Sequence, residues 1–510
     1  MDKVYILDFG SQLTQLIARK VRELGVYSEI FSFQRPISQL KKENPAALIL
    51  SGGPQSVYDE GAPLPSPEIL ELGIPVLGIC YGLQLMAYLL GGKVSSSDKR
   101  EYGFAMLEVK DRSGILAGIE DQGQVWMSHG DKVEEVPPGF VVTGVTPNCD
   151  SAVIENREAG LFGVQFHPEV IHTTQGIDVI SNFLFGQAGL EAGWSMGSFV
   201  DRKVREIRAQ VGDGHVICGL SGGVDSLVAS MIINRAIGDH LHCIFVDNGL
   251  LRKAQYQSLM EKFRTSFSLN VVGVDASELF LEKLQRVASP ERKRKIIGRE
   301  FIGIFEQEAR KIGGADFLAQ GTIYPDVIES SPVKGPSSSI KSHHNVGGLP
   351  KGLKFKLVEP LRELFKDEVR ALGLELGIDK DFIAQHPFPG PGLAVRIVGE
   401  VTQERLRIIR EADDIILQEV GAAGLYDQLW QAFAVLLPVR SVGVMGDRRT
   451  YQRVVVVRLV QSVDGMTADW FPADTELLSR ISNRIVNEVQ GVNRVVYDIT
   501  SKPPGTIEWE

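Results

Sequence analysis

Short apolar runs alternate with amphipathic segments along most of the chain, and this alternation constrains the fold more than any other feature. The first runs are 4–10, 46–53 and 74–80, and each ends in glycine or another small residue. Segment 12–24 has the apolar spacing of a helix. The pattern predicts strands and helices in turn, which build an open, largely parallel sheet that binds ligands at the carboxyl ends of its strands.

A second series of the same kind predicts a second open sheet. It follows a Gly-rich segment, 186–198, that is typical of a linker. Its apolar runs are 215–223, 241–249, 270–275 and 315–322. The pattern then ends in a polar segment rich in Ser, Gly and Pro, 329–350, which predicts a loop or a lid.

The last part of the chain has a different pattern. Three prolines within 386–391 forbid a continuing helix there and mark a boundary. Helical patterns at 403–419 and 475–490 and longer apolar runs at 441–446 and 453–460 follow. We therefore predict an α/β protein with two open, largely parallel-sheet domains followed by a small α+β domain. The predicted domains are 1–190, 195–385 and 386–510.

Composition excludes several classes of protein. A length of 510 residues is too great for one core. The net charge of −10 argues against non-specific nucleic-acid binding, and no apolar run approaches the roughly 20 residues of a membrane span. Four cysteines without CxxC spacing fit a reducing compartment. With no signal-peptide pattern at the start, we expect a cytoplasmic protein without nucleic-acid or membrane partners.

The first candidate site is built around Cys80. It stands between Gly78 and Gly82, where an apolar run meets a helical pattern, and such a turn exposes a nucleophile. The helix N-terminus favours a thiolate. His167 and Glu169 lie two residues apart at the end of another apolar run, so they share one side of a strand. A lone buried cysteine usually only packs, but the combination predicts a thiol nucleophile with its base.

These residues resemble the class I glutamine amidotransferase family. The motifs that carry the resemblance are GICYGLQ, VQFHPE, the SGGP turn at 51–54 and MSHGD at 127–131. The resemblance implies that Cys80 attacks the side-chain amide of glutamine, forming a glutamyl thioester and releasing ammonia. It further implies that His167 acts as base and then acid, oriented by Glu169. The backbone amides of Gly53 and Tyr81 would hold the oxyanion.

The second candidate site is the loop SGGVDS at 221–226, which follows an apolar run and opens a helical pattern. Its N–H groups and the helix dipole suit a phosphate, and Asp225 suits a magnesium ion that bridges phosphates. A bare Gly-rich connection would be unremarkable in an α/β fold, and no Walker motif occurs. The predicted ATP-binding residues are Ser221, Gly222, Gly223, Val224, Asp225, Ser226 and Leu227.

SGGVDS resembles the PP-loop of the ATP pyrophosphatase family, whose members cut ATP between the α and β phosphates. In that family Ser or Thr often follows the motif, whereas Leu227 follows here. Asp247 and segment 321–326 end neighbouring runs and are expected at the same cleft. The basic run 292–295 fits either a solvated helix face or a contact with a nucleotide phosphate.

The whole chain resembles the GMP synthetase family. The resemblance rests on GTIYPDVIES, IKSHHNVGGLP, HPFPGPGLAVR and SKPPGTIEWE. It implies ATP-dependent amination of XMP with Mg²⁺ as cofactor and glutamine as nitrogen donor. It also implies a homodimer formed through the C-terminal domain, and an XMP site that includes Arg252, Lys502 and Glu508.

Two other functions stay open at this point. One is a different glutamine-dependent PP-loop enzyme, which would amidate nicotinate adenine dinucleotide or modify tRNA. A tRNA enzyme is expected to carry a basic face or an added nucleic-acid domain, and neither is visible in the sequence. The other is a non-catalytic nucleotide sensor or scaffold, which would not need Cys80, His167, Glu169 and the complete loop.

Overall fold

The computed structural model describes residues 2–312, 314–330, 355–445, 447–462, 465 and 467–510. Most of the predicted loop at 329–350 lies outside these residues. The described chain divides into two compact units, with the division between Phe199 and Val200. Each unit is described by itself below, and the three predicted domain boundaries stay predictions.

The first unit contains a nine-stranded sheet. Its strands are β1 Lys3–Asp8, β2 Tyr27–Ser32, β3 Ala47–Leu50, β4 Val76–Ile79, β5 Lys93–Val109, β6 Gln122–Glu135, β7 Val141–Thr146, β8 Cys149–Asn156 and β9 Leu161–Val164. Its helices are α1 Thr14–Glu23, α2 Ile37–Glu43, α3 Tyr81–Leu89 and α4 Gly176–Ser181, with a π-helical segment at Asn182–Gln187 and 3₁₀ turns at Pro67–Glu71 and Gly114–Leu116.

The sheet has a parallel and an antiparallel part. Its strand order is β2-β1-β3-β4-β9-β8-β7-β5-β6. The first five strands are parallel, and β8, β7, β5 and β6 extend the sheet in antiparallel fashion. Every residue of β3, β4 and β9 is buried, because a parallel strand is covered on both faces. The predicted fold class is confirmed, and the antiparallel part is an addition that the apolar pattern did not predict.

The second unit begins with a five-stranded parallel sheet of order β12-β11-β10-β13-β14. Its strands are β10 Val216–Leu220, β11 Leu241–Asp247, β12 Val271–Asp275, β13 Phe317–Ala319 and β14 Lys356–Val358. Helix α5, Met196–Val211, crosses the boundary between the units. The helices that follow it are α6 Val224–Ile237, α7 Gln255–Thr265, α8 Ser277–Leu284, α9 Pro290–Lys311, α10 Tyr324–Ser330, α11 Lys366–Glu375 and α12 Lys380–Ile383.

An α+β region completes the second unit. Its strands are β15 Gln431–Met445, β16 Arg448–Gln461, β17 Asp469–Trp470 and β18 Val492–Tyr497, and its helices are α13 Gln403–Ala422 and α14 Thr475–Glu488. Strand β16 pairs antiparallel with β15 and β17 and parallel with β18. One apolar core runs from β10 and β11 through α13 to β16 and α14. The parallel sheet and the α+β region are therefore packed into one body.

Candidate active sites

The turn at Cys80 is strained, and glycines on both sides make it fit. Cys80 stands between β4 and α3 with φ 53° and ψ −105°, a conformation that non-glycine residues avoid. A Cβ added to Gly78 would lie 2.6 Å from the carbonyl oxygen of Gly82, and one on Gly82 would lie 2.2 Å from that of Leu50. Both approaches are too close for any side chain. The sequence thus fixes a tight elbow that holds the thiol at the N-terminus of a helix.

His167 and Glu169 form the predicted pair beside the thiol. His167 Nδ1 lies 2.7 Å from Glu169 Oε1, and both side chains are buried. Burial of the ring lowers the pKa of His167, but the Glu169 carboxylate and the hydrogen-bonded Cys80 side chain raise it more strongly, to about 10. Thr173 Oγ1 donates to the carbonyl oxygen of His167 at 2.6 Å and fixes the backbone that carries the ring. The arrangement can hold a thiolate and an imidazolium next to each other.

The two predicted oxyanion residues adjoin each other. A Cβ on Gly53 would lie 3.2 Å from Cγ of the Tyr81 ring. Tyr81 is the first residue of α3, where backbone N–H groups have no partner inside the helix. Both residues therefore lie next to the Cys80 turn, as their predicted role requires.

Two glutamines at this site were not predicted. Gln165 Nε2 lies 3.7 Å from Cys80 Sγ, and Gln165 Oε1 lies 3.3 Å from Gln84 Nε2. Gln84 Nε2 also lies 2.7 Å from the carbonyl oxygen of Asp131. Both glutamines stand inside the quoted motifs GICYGLQ and VQFHPE, which is the signal that was available. Their mutual contact depends on β9 lying beside β4, which the sequence does not show.

The SGGVDS loop connects β10 to α6 and is held by its own hydroxyl groups. The Ser221 and Ser226 hydroxyls are 3.0 Å apart, and the Gly223 N–H donates to Ser221 Oγ at 3.3 Å. Gly222 has φ 81°, and a Cβ on it would lie 2.6 Å from Leu259. Leu227, included in the predicted set, is fully buried, and its N–H donates to the Gly223 carbonyl oxygen. The groups that face outward are thus concentrated in residues 221–226.

Asp225 forms an ion pair with Lys366, which was not predicted from the sequence as a site residue. Lys366 Nζ, at the start of α11, lies 2.6 Å from each carboxylate oxygen of Asp225, and both side chains are about a third exposed. Within the described residues, no cluster of three His, Cys, Asp or Glu side chains can hold a metal ion. One carboxylate fits Mg²⁺ that arrives with ATP, because such ions take few protein ligands besides phosphates and water.

Other predicted parts of this cleft lie at the same edge of the sheet. A Cβ on Gly321 would lie 3.2 Å from the backbone of Asp225, so segment 321–326 adjoins the loop. Asp247 ends β11, the strand next to β10. The parallel arrangement brings these strand ends together, as the βα pattern predicts.

The three predicted XMP residues fall into two groups. Arg252 Nε donates to Asp413 at 2.8 Å, and the same carboxylate lies 3.4 Å from Arg396. Arg396 is fully buried and binds both carboxylate oxygens of Glu508, at 3.0 and 3.1 Å. Arg252 and Glu508 therefore belong to one charged network. Lys502 lies in the second group: its Nζ donates to the Gly465 carbonyl oxygen at 2.7 Å, and its backbone pairs with that of Ala468.

The basic run 292–295 is only in part the solvated helix face that was one of its two interpretations, because Lys293 does not face solvent. Lys293 is fully buried, and its Nζ donates to the carbonyl oxygens of Ile397 at 2.7 Å and Ala394 at 3.0 Å. It also pairs with the Glu510 carboxylate. Burial lowers the pKa of Lys293 against the effect of Glu510. Lys293 thus anchors the last residues of the chain, close in sequence to Glu508, while its neighbours Arg292 and Lys295 are exposed.

Comparison with known proteins gives the class of this protein and then its family. The family described as "Glutamine amidotransferase class-I" matches residues 5–187, and the family described as "GMP synthase C terminal domain" matches residues 418–509. The first unit is therefore a class-I glutamine amidotransferase fused to a synthase.

Three curated relatives, all named "GMP synthase [glutamine-hydrolyzing]", match the full length. Those from Brachyspira hyodysenteriae and Aquifex aeolicus are each 58% identical, over 100% and 99% of this chain and 99% of their own length. The one from Bradyrhizobium sp. is 58% identical over 100% of this chain and 96% of its own length. The chain belongs to the family of glutamine-hydrolysing GMP synthases. The resemblance to the GMP synthetase family is confirmed, and the alternative PP-loop amidotransferase is not favoured.

Proposed function

We propose that this chain converts XMP into GMP, taking nitrogen from glutamine and energy from ATP, and releasing glutamate, AMP and pyrophosphate. The observation that carries the proposal is the joint presence of a strained thiol elbow with a buried His167–Glu169 pair and the SGGVDS loop in one chain of this family. Glutamine hydrolysis supplies ammonia, and adenylation turns a carbonyl oxygen into a leaving group. Together they replace C=O by C–NH₂.

In the first half-reaction, the Cys80 thiolate attacks the side-chain amide carbon of glutamine. The N–H groups of Gly53 and Tyr81 stabilise the oxyanion, since donors fixed before the reaction lower its barrier most. His167 gives its proton to the departing ammonia and then removes one from the water that hydrolyses the thioester. The hydrogen bond to Glu169 keeps the imidazole in the orientation that both steps need.

In the second half-reaction, the loop residues 221–226 bind the ATP phosphates through N–H groups and hydroxyls. The carbonyl oxygen of XMP attacks the α phosphate, and pyrophosphate leaves; ammonia then displaces AMP from the adenylyl-XMP intermediate. Asp225 would hold Mg²⁺, which neutralises phosphate charge when bound. For Asp225 to take this role, its ion pair with Lys366 has to open, and the freed lysine is then available to a phosphate.

The acceptor site is proposed to include Arg252, Lys502 and Glu508. Asp413 and Arg396 link Arg252 to Glu508, and a carboxylate bound by a buried arginine keeps lone pairs that can accept from a ligand hydroxyl or base. Lys502 supplies the positive charge that suits the XMP phosphate.

We further propose a homodimer through the C-terminal region and a cytoplasmic location. Three large side chains of the β15–β16 hairpin, Val442, Val444 and Tyr451, are 39%, 75% and 60% exposed, and Val442 pairs with Tyr451 across the strands. Such an apolar strip fits a second copy of the chain. A Val444→Glu variant should elute with the mass of a monomer in light-scattering chromatography; a dimer as tight as the parent would contradict this. All four cysteines are free, as a reducing compartment requires.

One assay tests the proposed reaction. XMP, ATP, MgCl₂ and glutamine are incubated with the protein, and GMP, AMP, pyrophosphate and glutamate are quantified together. We expect equal amounts of GMP, AMP and pyrophosphate. ADP and phosphate in their place would overturn the PP-loop assignment, and inert XMP would overturn the acceptor.

A further inference from the structure

The environment of the Cys80 sulfur contains two opposite hydrogen-bonding groups besides His167. The carbonyl oxygen of Ser128 lies 3.7 Å from Sγ, and the side-chain nitrogen of Gln165 also lies 3.7 Å from it. A carbonyl oxygen can only accept, so it favours the protonated thiol. An amide N–H can only donate, so it favours the thiolate. Of the two contacts, the one from the Gln165 amide is therefore the one that stabilises the nucleophilic form.

The orientation of the Gln165 amide is fixed by its neighbours. The backbone carbonyl oxygen of Asp131 can only accept, so the Gln84 group 2.7 Å from it is the NH₂. The same NH₂ lies 3.3 Å from Gln165, so the Gln165 atom facing it is the oxygen. The Gln165 NH₂ then has to face Cys80. Reversing either amide would set two donors or two acceptors against each other.

Burial holds the side chains of Gln84 and Gln165 in this arrangement. Gln165 is fully buried and Gln84 is 4% exposed, so water cannot replace the lost partner of either amide without entering the core. The backbone N–H of Gln165 donates to the Ala152 carbonyl oxygen at 2.8 Å, which fixes the backbone that carries this side chain. The side chain thus reaches Sγ from the strand side, next to β9, independently of His167.

We propose that Gln165 is a catalytic residue of glutamine hydrolysis, whose side-chain N–H donates to the Cys80 sulfur and stabilises the thiolate before the attack. This inference rests on the proposed function, in which Cys80 is the nucleophile. Gln84 acts behind it as a positioning residue, because its NH₂ connects the Asp131 carbonyl oxygen to the Gln165 amide oxygen.

The experiment uses the full chain and two readouts. Gln165→Met keeps an unbranched side chain of similar length without the donor, and Gln165→Glu keeps the shape but replaces NH₂ by an acceptor. Gln124→Met is the matched control, since the Gln124 amide donates to the His172 carbonyl oxygen instead. The rate of Cys80 alkylation by iodoacetamide at pH 7, in which the sulfur displaces iodide, measures the thiolate. Glutaminase kcat and the KM for glutamine are measured beside it.

A hydrogen bond to a charged group is stronger than one between neutral groups, so we expect Gln165→Met to lose about tenfold in both the alkylation rate and kcat. We expect a larger loss for Gln165→Glu, because its carboxylate oxygen would face the sulfur. The KM for glutamine and ammonium-dependent synthesis should stay unchanged. If both variants fold, as judged by their melting temperatures, and alkylate and turn over within twofold of the control, the inference is wrong. Cys80→Ala in the same assay keeps the two proposals apart, since a Cys80→Ala protein that still hydrolyses glutamine overturns the nucleophile itself.

Discussion

The two candidate sites of this chain are prepared to different degrees. At the Cys80 elbow, Cys80 is 5% exposed, His167 is 4% exposed, and their hydrogen-bond partners are in place. At the SGGVDS loop, Ser221 and Gly223 are exposed, and the acidic residue is bound to Lys366 instead. The groups of the first site already have the arrangement that the proposed reaction needs. At the second site, the polar groups bond to each other and to Lys366.

The difference follows from what each site is proposed to bind. A thiolate is a small charge that buried donors can stabilise at all times, and groups fixed in advance give the greatest catalytic effect. ATP with Mg²⁺ brings its own charge, so a loop that binds it has to keep donors accessible and can hold them with weak internal contacts. We therefore expect changes at the elbow to act on rate and stability together, and changes at the loop to act mainly on ATP-dependent synthesis.

The largest expected effect separates the two sites altogether. Cys80→Ala should remove glutamine-dependent GMP formation and leave ammonium-dependent formation near the parental rate, because only the nucleophile is lost. Asp225→Ala should impair synthesis with both nitrogen sources. The check is GMP formation with glutamine and with ammonium chloride; parental glutamine use by the Cys80 variant, or full ammonium use by the Asp225 variant, would break the comparison.

The next effect tests how far the elbow depends on its ion pair. Glu169→Gln removes the charge that offsets burial, so the pKa of His167 should fall well below about 10 and the imidazolium should be lost at neutral pH. We expect kcat for glutamine hydrolysis to fall by about two orders of magnitude or more. The control is Glu29→Gln, at a surface ion pair with Lys3. Unchanged hydrolysis in Glu169→Gln would show that His167 works without its carboxylate.

The backbone should also be more tightly packed at the Cys80 elbow than at the SGGVDS loop. Gly82→Ala would bring a Cβ within 2.2 Å of the Leu50 carbonyl oxygen, whereas Gly223→Ala meets its nearest atom, Ser221 Oγ, at 3.4 Å. The first change should lower the free energy of unfolding by roughly 3 kcal/mol or more, and the second by less than about 1 kcal/mol. Denaturant titration of both variants measures this, and equal losses would contradict the idea of a looser loop.

Lys366→Met tests whether the lysine that pairs with Asp225 also contributes to ATP binding. Since its ion pair with Asp225 is partly exposed, stability should change little. If the freed lysine serves a phosphate, the KM for ATP should rise by about tenfold while glutamine hydrolysis without ATP stays unchanged. Lys380→Met, at an exposed position of α12, is the matched control. A lower KM for ATP would mean instead that Lys366 competes with the ligand for Asp225.

The smallest expected effect is an opposite response of the two units to acid. Burial raises the pKa of Glu155 in the first unit despite Arg157, so its contribution to stability is complete below the unfolded value near 4.5 and is lost as pH rises. Burial also raises the pKa of Glu363 in the second unit, but Arg202 and Lys203 outweigh it and lower the value to about 2. That contribution is present above pH 4.5 and is lost as pH falls through about 2.

The measurement is the melting temperature of Glu155→Gln and Glu363→Gln against pH. The Glu363 variant should lose roughly 2 kcal/mol relative to the parent at pH 6 and much less near pH 2.5. The Glu155 variant should lose least near neutral pH. Parallel pH profiles for the two variants would contradict the opposite signs.

The sequence was most informative where a local pattern and a backbone constraint coincide. The predicted helices 403–419 and 475–490 correspond to α13 and α14, the run 453–460 falls within β16, and residues 441–445 of the run 441–446 fall within β15. Gly78, Cys80 and Gly82 could be assigned to an elbow because only small residues fit there. The antiparallel strands β5 to β8 were not predicted, since strand direction depends on pairing partners far apart in sequence.

The sequence pattern could not predict contacts between side chains from distant segments of the chain. Lys293 is an example: within a basic run it could not be distinguished from its exposed neighbours, and only the docking of residues 394–397 and of Glu510 around it makes it a buried anchor. Lys366 is another, since 141 residues separate it from Asp225.

The sequence by itself predicted the alternation of strands and helices in the parallel part of each sheet, the two glycine-bounded turns, and Cys80, His167 and the SGGVDS loop as candidate site residues, because each of these is a local pattern in the chain. The tertiary structure decided which atom of the Gln165 side-chain amide faces the sulfur, which cation binds Asp225 and how Arg396 binds Glu508. Those contacts depend on the register of paired strands and the packing of helices, which arise from many weak interactions summed over the whole core.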